Sequence, residues 1–202
     1  MKKTTDFMLT VLVLLGITLI TALMPTEKEA DIYTDTLRLH ILASSNSPDD
    51  QELKYKIRDR LLEKYGVQLK SSDTFEEAMY GVTLLCEDIE SDVASWITEY
   101  GYDYGCEVTL STEWYDTRRY DGFTLPRGYY TSLRVMLGEA KGENWWCVMY
   151  PPLCLDIATE YVPPDDAVAG YTKEEYSLIT NDGYNVKLKI LELFSDAFSK
   201  NG

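Results

Sequence analysis

Apolar positions along the chain recur with two different periods, and the period predicts the element. Residues 36–43, TLRLHILA, alternate: Leu37, Leu39, Ile41 and Ala43 share one face, and Arg38, His40 and Leu42 the other. That is the pattern of a strand. The stretch that follows, SSNSPDDQELKYKIRDRLLEKYG, reads as a helix. Ser47 suits its N-cap, Pro48 its first position, and Asp49 and Asp50 the positive end of its dipole. Leu53, Ile57, Leu61 and Tyr65 recur every four residues, and Gly66 suits a left-handed stop. A second helix is expected to start at the capping pair Asp73 and Glu76. Phe75, Met79, Val82, Cys86, Ile89, Val93, Trp96 and Tyr100 then form one apolar stripe, which ends at Gly101.

Beyond Gly105 the period falls to two. Cys106, Val108, Leu110, Thr112 and Trp114 share a face expected to meet the core. A loop around Tyr120-Asp121-Gly122 leads into 129–137, where Tyr129, Thr131, Leu133, Val135 and Leu137 alternate with Tyr130, Ser132, Arg134 and Met136. The turn-rich GEAKGEN (138–144) predicts a hairpin back into WWCVMY (145–150). Pro151-Pro152 ends that strand, because proline cannot donate to a ladder. In the tail, Thr172 with Glu175 is a capping box, Asn181-Asp182-Gly183 a turn, and Val186, Ile190, Leu193 and Ala197 stripe a final helix. The order predicts a single α+β domain over 31–202, with a mostly antiparallel sheet of about four strands and helices packed on one face.

The N-terminus adds a compartment. Lys2 and Lys3 precede the uncharged stretch 7–24, FMLTVLVLLGITLITALM, and polar residues 25–35 follow as a short linker. A helix of that length spans roughly 27 Å, close to a bilayer core. Positive charge first and an apolar run second place the bulk of the chain outside the cytoplasm. Residues 1–30 are therefore a cleaved signal peptide, with Ile20-Thr21-Ala22 a loose cleavage site, or an uncleaved membrane anchor, plus a linker.

Charge and chemistry narrow the class. With 34 acidic against 19 basic residues the formal charge is −15, which disfavours nucleic acid as a partner. It fits solubility, or an acidic face that meets a basic partner. One histidine, and four cysteines without a C-x-x-C pair, make a metal site or other cofactor unexpected. Cys86 and Cys106 fall on core stripes. Cys147 and Cys154 form either a disulfide or two packed thiols. The carboxylate pairs Asp49-Asp50, Asp165-Asp166 and Glu174-Glu175 read as helix starts and solvated loops, and no G-x-S-x-G elbow, aspartic-protease triplet or phosphate-cradling loop occurs. One catalytic option remains, a secreted thiol-dependent hydrolase with Cys147 as nucleophile and His40 as base. On a strand, Trp145 and Trp146 point to opposite faces. One enters the core; the other is either covered or anchors a partner beside Pro151-Pro152.

The segments LRLHILASSNSPDDQELKYKIRDRLL and GENWWCVMYPPLC resemble the stage II sporulation protein R family of endospore-forming bacteria. The first carries that family's run at Arg38, His40, Ala43, Ser45, Ser47, Asp50 and Gln51, although the family usually has Asn at the position of Ser45 and Ser or Asp at that of Asn46. The second matches at Gly142, Asn144, Trp145, Trp146, Cys147, Val148, Pro151, Pro152, Leu153 and Cys154. The resemblance implies a signalling protein without an enzymatic role, exported from the forespore into the space between forespore and mother cell. There it would activate a membrane-embedded aspartic protease that processes the precursor of sporulation sigma factor E. The expected partner-binding residues are Arg38, His40, Ser45, Asn46, Ser47, Asp50, Asn144, Trp145, Trp146, Pro151 and Pro152. An exported structural protein of the spore envelope is a further alternative.

Overall fold

A computed structural model describes residues 2–23, 27–70, 72–120, 122–153 and 170–180. Helix α1 (Lys2–Leu23) is followed by a short α2 (Glu27–Thr34) and strand β1 (Leu37–Leu42). Two long helices come next, α3 (Pro48–Lys70) and α4 (Phe75–Glu99). Strand β2 (Cys106–Tyr115), the short pair β3 (Arg118–Tyr120) and β4 (Phe123–Leu125), then β5 (Gly128–Leu137) and β6 (Asn144–Tyr150) complete the sheet elements. A last helix, α5, covers Lys173–Ile179. The expected final helix at Val186, Ile190, Leu193 and Ala197, and the pair Asp165-Asp166, lie outside the described residues.

The fold is α+β, and its sheet is mixed. The strand order is β2-β5-β1-β6, with β1 parallel to β5 and antiparallel to β6, and β2 antiparallel to β5. The expected 138–144 hairpin does not form, because β1 lies between β5 and β6. The reason is local. The amides of Lys141 and Gly142 bond the carbonyls of Ser44 (3.1 Å) and Ala43 (2.9 Å), which steers the chain over the end of β1 to its far side. Only glycine fits at 142, where a Cβ would lie 2.2 Å from the Ser45 carbonyl oxygen. Gly138 and Ala140 turn the chain through positive φ just before.

Central placement explains why β1 is buried along its whole length. Leu37, Leu39 and Ile41 join a core with Leu53, Ile57 and Leu61 of α3 and Val82, Ile89, Val93 and Ile97 of α4. Each such side chain contributes about 1.5–3 kcal/mol of burial free energy. Helices are not confined to this face. Ile32 of α2, a segment expected to be linker, is buried, and Tyr33 lies over Gly128 and meets Tyr130 edge-on at 5.3 Å. The β3–β4 pair, expected to be loop, folds back over the same second face. Trp114 does not enter the core; it stands exposed beside Tyr129, its register partner.

Helix ends follow the expected chemistry with two shifts. The Ser47 hydroxyl accepts from the Asp50 amide at 3.1 Å, so Ser47 caps α3. That helix runs through Gly66 to Lys70 instead of stopping. The cap of α4 is Thr74, one residue later than expected, and its hydroxyl accepts from the Glu77 amide. Thr172 and Glu175 form the expected capping box of α5. Phe7, Leu9, Leu12 and Leu15 of α1 are exposed. Among the described residues no helix is long and apolar enough to cross a membrane.

Candidate functional site

The two motif segments meet along one ladder. Arg38 pairs with Val148, His40 with Trp146, Ile41 with Trp145 and Leu42 with Asn144. Their loops are sewn together as well, since the Glu143 amide donates to the Asn46 side-chain oxygen at 2.7 Å. Segments nearly a hundred residues apart in sequence thus form one corner of the molecule.

Most of the corner is built from satisfied polar groups. The Ser45 hydroxyl donates to Asp50, as does the Tyr104 hydroxyl at 2.7 Å. Burial would raise the Asp50 carboxyl, but the hydrogen bonds from Ser45, Tyr104 and Ser47 outweigh it and hold the group below its usual range. Gln51 donates to the Ser45 carbonyl, and Lys54 donates to Gln51 (2.6 Å) and to the Glu143 carbonyl (3.1 Å). Lys54 is almost fully buried, and burial lowers its pKa. These contacts make Ser45, Asp50, Gln51 and Lys54 a brace between the 43–51 and 138–144 loops. Asn46, Ser47 and Asn144 remain at the surface.

The sheet face opposite α3 and α4 holds a second network. Arg38 is fully buried, so it supports the surface from beneath instead of lining it. Its guanidinium donates to the Tyr120 hydroxyl at 2.7 Å and lies 3.7 Å and 4.9 Å from the ring centres of Tyr115 and Tyr130. Such contacts contribute about 0.5–2 kcal/mol each and offset part of the cost of burying the charge. Nδ1 of His40 donates to Glu113 at 2.8 Å, and its ring stacks on Trp146 at 5.6 Å. The Tyr115 hydroxyl lies 2.8 Å from the same Glu113 oxygen and 2.7 Å from the Ser132 hydroxyl. Arg134 sits 3.3 Å from the second Glu113 oxygen. Burial raises the Glu113 carboxyl, yet the bonds from His40 and Tyr115 and the charges of His40 and Arg134 prevail, leaving its pKa lowered. Burial pushes the Tyr115 phenol strongly up.

Above this network Trp146 is half-buried, with the Arg118 guanidinium 3.7 Å from its ring centre. Trp145 points to the other face, 5.4 Å from Arg58 of α3. Both indoles therefore carry a cation and remain partly exposed. Pro151 is buried and Pro152 half-buried. Glu113, Tyr115, Arg118 and Lys54 escaped the sequence reading. Glu113 carried a usable signal, as an acid on the face of β2 opposite Leu110.

The geometry does not assemble a thiol enzyme. Cys147 pairs with Leu39 and faces the helices, whereas His40 and Trp146 face the other way, so the imidazole is on the wrong side of the sheet for the thiol. Cys147 is fully buried, and Cys154 lies outside the described residues, so the bridge between them is not placed. Cys86 and Cys106 are half-buried on the core stripes; burial first, and then Glu90, raise both thiols, Cys106 to about 11. Among the described residues, no group of three or more His, Cys, Asp or Glu is arranged to hold a metal ion.

A family model described as stage II sporulation protein R matches residues 33–160, a span that contains both motif segments. Over 98% of its length the chain is 30% identical to the whole of stage II sporulation protein R from Bacillus subtilis (strain 168). No solved structure gives a significant match.

Proposed function

The chain belongs to the stage II sporulation protein R family, a family of sporulation proteins, and from that premise we propose that it is an exported signal that activates a membrane-embedded aspartic protease. The activated protease processes the precursor of sporulation sigma factor E. The chain reaches the space between forespore and mother cell by way of its N-terminal apolar segment, either cleaved from it or held by it. The observation that carries this reading is the family match across both motifs. The apolar run of α1 behind Lys2 and Lys3 supports export, since that order is the form of a targeting segment.

An activator needs no catalytic residue of its own. It shifts a two-state enzyme by binding the active arrangement more tightly than the inactive one. The contact surface we assign is the half-buried Trp146 with Arg118 across its face, extended by Asn144, Asn46 and Ser47 along the joined loops. Trp145, on the other face of β6, and Pro152, beyond the strand's far end, lie outside it. Arg38, His40, Ser45, Asp50 and Pro151 hold these groups in place. A half-buried tryptophan fixed on a sheet is a suitable anchor, because little side-chain entropy is lost when a partner covers it.

Co-expression of this chain, the protease and the sigma factor precursor in a non-sporulating host tests the reading. Precursor cleavage followed by immunoblot is expected only when this chain is present and exported. Equal cleavage without it would refute the activator role.

A further inference from the structure

Resting on the activator reading, the chemistry of the contact surface specifies what it receives. The chain as a whole carries a charge of −15, which on its own would favour a basic partner. The charged group presented at Trp146 is nevertheless a cation, Arg118. Glu113, the carboxylate of the network below, is already engaged by His40, Tyr115 and Arg134. Arg118 pairs with no carboxylate among the described residues. Its buried Nε–H has no hydrogen-bond acceptor, and the Nε–H of Arg134 points off the line to Glu113. Beneath them, Nε and Nη1 of the fully buried Arg38 also lack acceptors and face the Tyr115 and Tyr130 rings.

Donors left without acceptors are costly, the more so for charged groups. A guanidinium presents parallel N–H groups that fit a carboxylate bidentately, and the indole face beside it excludes water from such a pair. We propose that the Trp146–Arg118 rim is the receptor for a carboxylate side chain, Asp or Glu, on the extracytoplasmic part of the protease. Trp146 packs against the stem of that side chain and Arg118 takes its charge. The carboxylate supplies the acceptor that Arg118 lacks among the described residues, so the contact forms when the partner is docked.

The test is a charge exchange in the co-expression system, with the full chain. Arg118→Glu places like charges opposite each other and is expected to lower precursor cleavage by at least about 30-fold. Arg118→Gln checks that export and thermal unfolding stay near wild type when the charge alone is removed. Each extracytoplasmic Asp and Glu of the protease is then changed to Arg in turn. One of these is expected to restore cleavage by Arg118→Glu while responding poorly to the unchanged chain. Wild-type cleavage by Arg118→Glu overturns the proposal, as does a loss that no exchange restores. Rescue of Arg118→Glu by Asp156→Lys, Glu160→Lys, Asp165→Lys or Asp166→Lys would assign the site to this chain's own acidic segment and overturn it too. Absence of cleavage with the unchanged chain would instead remove the activator reading, and this inference with it.

Discussion

Glu113 is the hinge of the network beneath Trp146, and neutralising it gives a quantitative test. One of its oxygens accepts from His40 and from the Tyr115 hydroxyl, both at 2.8 Å, and the other lies 3.3 Å from Arg134. Glu113→Gln keeps the volume and one acceptor but loses the charge. A hydrogen bond to a charged group contributes about 1.5–3 kcal/mol against 0.5–1.5 for a neutral one, so two weakened bonds amount to about 2 kcal/mol. The pH dependence has a fixed sign. The folded-state pKa is lowered from 4.5, so the stabilisation is fully present above that value and drains away as pH falls through the folded pKa. The variant should therefore be about 2 kcal/mol less stable than wild type at pH 7, with the gap closing as pH falls below about 4.5 and through the lowered folded-state pKa. Urea unfolding monitored by tryptophan fluorescence at pH 7, 5 and below 4.5 measures it, and taking the difference between the two proteins removes other titrating acids such as Asp50. Equal stability at pH 7, or a gap that does not narrow as pH is taken progressively below 4.5, would refute the account of this network.

Two other outcomes follow from single positions. Gly142→Ala should destabilise the domain by about 2–3 kcal/mol in thermal or urea unfolding, because its Cβ would meet backbone and the loop would lose its bonds to Ala43 and Ser44; an unchanged midpoint would contradict the path from β5 to β6. Cys106, with its thiol raised from 9.0 to about 11, should hold about a hundredfold less thiolate at pH 8 and react with iodoacetamide correspondingly slowly in the folded chain; labelling at the rate of the unfolded chain would show that the α4–β2 junction is open.

The elements with strong period were legible in the sequence. The two long helices, the strands at 37–42, 106–115 and 128–137, and the α5 capping box stand where apolar spacing and capping residues put them. Pairing was less legible. The turn-rich 138–144 segment suits a hairpin, and the preference for β1 over β5 is set by a backbone fit at Gly142 that no local pattern encodes. Helix α2 buries Ile32 but shows no stripe, so its two turns depend on contact with β5 and α5. Strands of three residues, such as β3 and β4, are too short for alternation to register. Trp114 fell on the core face by parity, yet lies beyond the cover of the helices. At the site, the motif residues pointed to the right corner without separating brace from surface. That distinction needs the fold, since Arg38 looks like an outward-facing cation until β3 and Tyr115 close over it. The cation held over Trp146 by Arg118 was likewise masked by the overall acidity.

The most direct measurement of the central claim compares unchanged and Trp146→Ala chains, matched for export and for thermal midpoint, in triggering cleavage of the sigma factor precursor by the membrane protease. Removal of a central aromatic anchor typically costs 2 kcal/mol or more of binding, so at limiting chain concentration the rate should fall by about 30-fold. An unchanged rate with a folded, exported Trp146→Ala chain would contradict the assignment of this surface.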